Sequence, residues 1–108
     1  MEVKLLFKEL LRHNSANIFS AHFHDTKALG LANVFASLDQ GIKKFDACIG
    51  GLGGCPFAPG SSGNLPTEDL VSLLYMMNLD TGIDLDALLK TREIASSMTS
   101  LDLKARVV

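Results

Sequence analysis

The sequence contains no tryptophan, a single tyrosine and only two cysteines in 108 residues. Two cysteines in a chain rich in leucine and valine do not make a disulfide scaffold, so we expect Cys48 and Cys55 to be free thiols in a reducing compartment. No apolar run is long enough to span a bilayer, and the first residues resemble an amphipathic helix rather than a signal peptide. These absences predict a soluble cytoplasmic protein without a membrane partner.

An excess of basic charge is also absent. Ten Lys and Arg residues against twelve Asp and Glu residues give a formal net charge of −2. The basic residues are scattered along the chain, whereas a nucleic-acid-binding protein gathers them into a patch or stripe. We therefore exclude nucleic acid as a partner, and the length corresponds to one domain.

What the sequence does contain is an alternation of helical and extended patterns. Apolar residues at helical spacing open the chain, and the stretch NIFSAHFH then predicts a strand over 17–24. Asp25 or Thr26 can cap a second helix that Gly41 ends, and KKFDACI predicts a second strand over 43–49. The buried face of the second helix is predicted to contain Leu31, Val34, Phe35 and Leu38.

Two further helices are predicted in the second half. Pro66 marks the start of one, with Glu68 and Asp69 as partners of its dipole, and Asp84 caps another that runs to about Ile94 before a weakly structured tail. Helices between successive strands predict an α/β fold with parallel pairing. Two parallel strands leave two unpaired edges, which indicates a piece of a larger sheet.

Two of the three histidines stand one residue apart, in the stretch SAHFHDT. Side chains alternate across a strand, so His22 and His24 project from the same face and are close enough to bind one metal ion. They stand at the carboxyl end of a strand, the edge where parallel α/β folds assemble their sites. We interpret the pair as metal ligands; the alternative is one core and one surface histidine. His13 is interpreted as a helix C-terminal residue.

A glycine-rich loop follows the second predicted strand. Six of the nine glycines lie from Gly50 to Gly63, a composition that lets backbone amides approach a ligand and lets the loop close over a site. The loop matches neither a P-loop nor the dinucleotide fingerprint. Cys55 is its reactive side chain, which we interpret as presented to substrate, with an incidental small residue as the alternative. Cys48 is expected to be packed.

Asn64 ends this loop, and two aspartates stand earlier in the chain, Asp25 after the histidines and Asp46 in the second predicted strand. From the residues alone, the Asn64 side chain is either a turn residue or an oxygen ligand for Mg²⁺ or Mn²⁺, and the turn is favoured. Asp25 is interpreted as a helix cap. Asp46 keeps two interpretations, a polar residue at a strand end and a functional residue.

The stretches HFHDTKALGLAN and FDACIGGLGGCPFAPGSSGNLPTEDLV together resemble the C-terminal end of the 3-hydroxy-3-methylglutaryl-CoA lyases, a family of metal-dependent TIM-barrel lyases. The resemblance is densest from His22 to Val71, and Gly-Gly-Cys-Pro is its most specific motif. It implies that residues 1–108 are a single partial domain, the last two βα units of a (β/α)₈ barrel with a C-terminal helix and tail. A complete barrel takes about 250 residues.

The resemblance also implies a metal site and a substrate. His22, His24 and Asn64 become ligands of a divalent metal ion, Mg²⁺ or Mn²⁺, which replaces the turn interpretation of Asn64. The implied reaction is carbon–carbon cleavage of 3-hydroxy-3-methylglutaryl-CoA to acetyl-CoA and acetoacetate, as in leucine degradation and ketone body formation. An acyl-CoA is therefore the expected partner.

Catalytic roles follow from the same resemblance. Cys55 becomes the catalytic thiol, carried on a mobile loop in which Gly51, Gly53 and Gly54 allow approach to the substrate. His22 combines metal ligation with proton transfer in this interpretation.

Motifs that the family carries on earlier strands are absent from this chain. They are an Arg-Asp pair, a glutamate of the second strand and a Gly-Asp-Thr motif of the sixth. The leading hypothesis is thus an enzyme portion completed by the N-terminal part of the barrel or by a homo-oligomer, and a missing N-terminus would add the mitochondrial matrix to the expected compartments. The alternatives are a non-catalytic, self-associating barrel fragment and a zinc hydrolase that uses His22, His24 and Cys55.

Overall fold

The computed structural model describes residues 2–53, 63–100 and 103–105. Within these ranges two short parallel strands alternate with helices, and Ala21 lies opposite Phe45 and His22 opposite Asp46 in the strand register. The α/β class and the parallel pairing predicted from the sequence are confirmed. In chain order the elements are α1 (Glu2–Leu10), β1 (Ala21–His22), α2 (Gly30–Asp39), β2 (Phe45–Asp46), α3 (Thr67–Met76) and α4 (Leu85–Met98).

Both strands are shorter than the sequence predicts. The first is predicted over 17–24, but Ser15 accepts a hydrogen bond from the Asn17 N–H at 3.3 Å and starts a 3₁₀ turn that precedes β1. The second is predicted over 43–49, but it separates from β1 after two paired residues. The Ser15 cap shortens the first strand, and beyond the paired residues the backbone of Leu65 bonds to both segments in place of strand pairing. An apolar pattern alone would extend both strands.

The helix α2 begins later than predicted and ends where predicted. A 3₁₀ turn over Thr26–Ala28 comes first, and the Asp25 carboxylate accepts a hydrogen bond from the Gly30 N–H at 3.0 Å. Asp25 therefore anchors the helix start from five residues away, because the chain turns once before the helix forms. Gly41, with a φ of +94°, follows the last turn, and the Ile42 N–H donates back to that turn in a Schellman motif.

The second half of the chain starts its helices as predicted, but its last helix is longer than predicted. Pro66 directly precedes α3, and the Asp84 carboxylate caps α4 by accepting from the Ala87 N–H at 3.2 Å. α4 continues past Ile94 to Met98, and the Lys104 N–H donates to the Gly50 carbonyl at 2.8 Å. The predicted tail therefore begins later than expected, because residues 96–98 belong to α4, while residues 103–105 have no regular secondary structure. None of the described helices is long and apolar enough to cross a membrane.

The core consists of two apolar clusters that Phe23 and Phe45 join. One cluster contains Phe7, Ala21 and Ile42, the other Val34, Leu65 and Leu70, and both phenylalanines pack against each. Phe35 is not part of the core: it is 57% exposed, contrary to the prediction from helical spacing. It lies beside an apolar groove that is open in this chain and that Ile42 and Leu70 also line.

The core makes a direct prediction for stability. Ile42→Ala removes a side chain that is fully buried, so we expect a loss of about 2–5 kcal/mol in the free energy of unfolding. Ile18→Ala is the matched control, because Ile18 is 64% exposed and its truncation should change stability by at most about 0.5 kcal/mol. Urea unfolding followed by circular dichroism measures both. Equal losses would contradict the assignment of Ile42 to the core.

Candidate functional site

The site is organised by the segment 63–67, which lies between the carboxyl ends of β1 and β2. The Leu65 N–H donates to the Phe23 carbonyl at 3.1 Å, and the Leu65 carbonyl accepts from the Cys48 N–H at 3.1 Å. Leu65 itself is 1% exposed and belongs to the core. Where the strands separate, this segment therefore takes up their backbone groups and is fixed relative to both.

His22, His24 and Asn64 meet at the carboxyl end of β1. The two imidazole rings lie edge to face with their centroids 5.3 Å apart, as the spacing of one intervening residue leads one to expect. His24 and Asn64 are direct neighbours in an isolated antiparallel bridge. The fold thus brings the three residues that the family resemblance names as ligands into one cluster.

Asp46 controls the orientation of His22. Its Oδ1 is hydrogen-bonded to the Nδ1 of His22, directly across the parallel register. When Nδ1 carries the proton, Nε2 keeps its lone pair and is the nitrogen that can bind a cation. Both interpretations of Asp46 stay predictions, and only the strand register could have revealed its contact with His22.

The Asn64 side chain is held by its amide nitrogen. Nδ2 donates to the Leu52 carbonyl at 2.9 Å and to the Cys48 Sγ at 3.1 Å. Both amide hydrogens are thereby used, so the carbonyl oxygen is the atom of this side chain that can accept from a ligand or bind a cation. Cys48 is a half-buried free thiol, and its Sγ helps to orient this amide by accepting one of its hydrogens.

The glycines of the loop allow close packing around Asn64. A Cβ at Gly53 would lie 2.5 Å from the side-chain Nδ2 of Asn64, and one at Gly51 would lie 2.9 Å from the backbone carbonyl oxygen of Asn64. A Cβ at Gly63 would lie 2.3 Å from the Gly51 carbonyl oxygen. Gly51 and Gly53 thus have a packing role that composition alone does not reveal.

Two predicted site residues, Gly54 and Cys55, lie outside the described residues. The predicted presentation of the Cys55 thiol therefore stays a prediction. The same holds for the zinc-hydrolase hypothesis, which depends on this thiol as a third ligand.

The donor set of the cluster suits a divalent cation without completing its coordination. Two imidazole nitrogens and one amide oxygen are neutral ligands of the kinds that transition metals and Mg²⁺ or Mn²⁺ accept. Over the ranges that the structure describes, no three His, Cys, Asp or Glu side chains stand close enough together to hold a metal ion. A cation at this cluster would need further ligands besides these three, such as water or a carboxylate.

A buried ion pair that the sequence analysis missed lies behind the site. Glu68, fully buried at the start of α3, accepts the Gly50 N–H with both carboxylate oxygens at 2.9 Å. The Nε of Arg92 in α4 lies 3.6 Å from the Glu68 carboxylate, and its Nη2 donates to the Leu103 carbonyl at 3.3 Å. The sequence suggests only a helix-dipole role for Glu68, because its partners lie far away along the chain.

Comparison with known proteins identifies the family. The HMGL-like family model matches residues 1–95. The chain belongs to the HMGL-like family. It is 48% identical over 88 residues to the hydroxymethylglutaryl-CoA lyase YngG of Bacillus subtilis, which covers 82% of this chain and 29% of that protein. It is also 46% identical over 86 residues to the (R)-citramalyl-CoA lyase of Chloroflexus aurantiacus, covering 80% of this chain and 27% of that protein.

A solved structure extends the similarity to the fold of this HMGL-like chain. The HMG-CoA lyase from Acinetobacter baumannii, in complex with coenzyme A and 3-methylmalate, matches with a TM-score of 0.91 and 43% identity. The match covers 97% of this chain and 34% of that one. The family resemblance seen in the sequence is confirmed, and the chain spans about a third or less of the length of these relatives.

The contact between Gly63 and Gly51 generates a second prediction. Gly63→Ala forces the two backbone segments apart, so we expect a loss of roughly 1–3 kcal/mol in stability and a shift of the Asn64 side-chain amide resonances. Gly82→Ala is the control, because its Cβ meets nothing within 4 Å and only its φ of +71° opposes the change. Two-dimensional NMR of both variants separates the effects. Unshifted Asn64 resonances in Gly63→Ala would contradict the packing described here.

Proposed function

We propose that this chain is the carboxyl-terminal part of an acyl-CoA lyase that cleaves 3-hydroxy-3-methylglutaryl-CoA to acetyl-CoA and acetoacetate. The observation that carries the proposal is the convergence of His22, His24 and Asn64 in a chain of the HMGL-like family. Two relatives are named as lyases of CoA thioesters, and the solved structure of a third relative contains coenzyme A, which supports an acyl-CoA substrate.

The proposed metal site uses the Nε2 of His22, the imidazole of His24 and the amide oxygen of Asn64. A bound Mg²⁺ or Mn²⁺ supplies Lewis-acid polarisation of the substrate's C3 hydroxyl. Asp46 keeps His22 in the tautomer whose Nε2 is free to bind. With Nδ1 hydrogen-bonded to Asp46 and Nε2 used for ligation, both ring nitrogens of His22 are engaged, which favours a ligand role over proton transfer.

The remaining chemistry is proton movement around the scissile bond. Loss of the C3 hydroxyl proton to a base lets the C2–C3 bond break, and its electron pair passes to C2, where the thioester stabilises it. The family resemblance assigns Cys55 as the donor that protonates C2. Gly51, Gly53 and Gly54 belong to the loop that brings this thiol to the substrate and excludes water.

We further propose that residues 1–108 are the last two βα units of a (β/α)₈ barrel. Two described strands, the share of the relatives that the chain matches and the open apolar groove beside Phe35 support this. The partner is the N-terminal portion of the barrel or further copies of the chain. The non-catalytic alternative, a self-associating fragment, is less favoured because the candidate ligands are assembled. Compartment and pathway stay predictions.

Metal binding tests the site independently of turnover. We expect His24→Ala and Asn64→Ala each to weaken Mn²⁺ binding at least about tenfold, since even changes to residues behind metal ligands have effects of that size. His13→Ala is the matched control, because His13 is an exposed histidine outside the cluster. Isothermal titration with Mn²⁺ measures the affinities. Equal affinity in all three variants and the unchanged chain would contradict the ligand assignment.

Turnover tests the partial-barrel proposal. We expect no acetoacetate release by this chain alone, and release when it is mixed with the N-terminal portion of the Bacillus subtilis lyase and Mn²⁺. Cys55→Ala should abolish the activity of the mixture, whereas His13→Ala should leave it unchanged. Turnover by the chain alone would contradict the incomplete site. An inactive mixture together with large homo-oligomers in light scattering would favour the non-catalytic fragment.

A further inference from the structure

Glu68 is a buried carboxylate that the proposed chemistry does not use. It is 0% exposed, and its partners are the Gly50 N–H and the guanidinium of Arg92. Burying a charge is unfavourable unless hydrogen bonds and an opposite charge compensate it. Glu68 is buried beside Gly50, where the glycine-rich loop begins, so its interactions bear on the conformation of that loop.

We propose that Glu68 is a positioning residue for the candidate metal site, acting through Gly50 on the side chain of Asn64. The inference rests on the proposed function for its metal-binding consequence. Its structural consequence, the fixed orientation of the Asn64 amide, does not depend on any metal.

Gly50 is held on three sides. Its N–H donates to Glu68, and its carbonyl accepts from the Lys104 N–H at 2.8 Å. A Cβ at Gly50 would lie 2.7 Å from the Leu103 side chain, so that side chain covers the remaining face. With a φ of +60°, Gly50 adopts a conformation that favours glycine and needs these contacts to stay fixed.

The turn that contains Gly50 leads directly to Asn64. Residues Ile49–Gly51 form a 3₁₀ turn, closed by the Gly51 N–H on the Cys48 carbonyl at 3.0 Å and by the Leu52 N–H on the Ile49 carbonyl at 3.1 Å. Cys48 and Leu52, at the two ends of this turn, accept the two amide hydrogens of Asn64. If the turn shifts, the Cys48 and Leu52 acceptors shift with it, and the Asn64 amide oxygen no longer has a fixed orientation.

Arg92 connects this arrangement to the C-terminal residues. Its guanidinium compensates the Glu68 charge and donates to the Leu103 carbonyl, while Leu103 covers Gly50. In the described part of the chain its Nε is buried without a hydrogen-bond partner, so the interaction with Glu68 is a charge contact rather than a hydrogen bond. Glu68 of α3 and residues Leu103 and Lys104 thereby contact Gly50 directly, and Arg92 of α4 is linked to it through Glu68 and Leu103.

The first test measures the Gly50 amide exchange rate and the Asn64 side-chain amide resonances by NMR. We expect Glu68→Ala to speed hydrogen exchange of the Gly50 amide and to shift the Asn64 side-chain amide resonances, because the turn loses its anchor. Glu68→Gln keeps one oxygen acceptor and should restore both signals towards those of the unchanged chain. Glu93→Ala, which removes an exposed carboxylate of α4, is the control. Unchanged Asn64 resonances in folded Glu68→Ala overturn the proposal.

A second variant keeps the test decisive if Glu68→Ala does not fold. Glu68→Leu combined with Arg92→Met removes both charges at similar volume, a replacement that buried ion pairs often tolerate. Folding of this variant is checked by circular dichroism. Shifted Asn64 resonances with an intact fold support positioning by Glu68, and unshifted resonances overturn it.

Metal affinity then separates a positioning role from a general structural one. Measured well below the unfolding temperature, Glu68→Ala should weaken Mn²⁺ binding about tenfold in the unchanged background and not at all in the Asn64→Ala background. Equal weakening in both backgrounds would overturn the pathway through Asn64. Unchanged Mn²⁺ affinity in Asn64→Ala and His24→Ala would instead reject the proposed metal site, and the NMR result would still decide the positioning.

Discussion

The structure depends on the two backbone hydrogen bonds of Leu65, one to each strand end. After their short pairing, β1 and β2 separate, and their next backbone groups need partners that water does not supply in the interior. Segment 63–67 provides these partners, with the Leu65 N–H on Phe23 and the Leu65 carbonyl on Cys48. Because the Leu65 side chain also fills the core, the chain cannot release this segment without losing packing and hydrogen bonds together.

This single constraint explains why the candidate site forms where it does. Fixing Leu65 fixes Asn64 beside His24 on one side, and it brings Cys48 within reach of the Asn64 amide on the other. Three backbones then meet within a few ångströms, which only glycine allows at the closest approaches, such as Gly63 against Gly51. The glycine content of the loop therefore has a steric cause in its described part.

The sequence predicts the local features well and the long-range ones poorly. The paired histidines, the helix stop at Gly41 and the Asp84 cap depend on residues within one turn of each other, so their spacing carries the information. The strand ends, the exposure of Phe35 and the Glu68–Arg92 pair depend on neighbours from distant parts of the chain. Periodicity carries no information about such neighbours, whereas the family resemblance named the three candidate ligands that the fold brings together.

The charge of the candidate ligands limits what they can hold by themselves. The three candidate ligands are neutral, and the Asp46 carboxylate is hydrogen-bonded to one of them, His22. A divalent cation in a partly buried site is stabilised by anionic oxygen ligands, and over the described ranges no further acidic side chain completes such a set. A divalent cation at this cluster would therefore need anionic oxygen from a further carboxylate or a bound ligand, because the three candidate ligands of this chain are neutral.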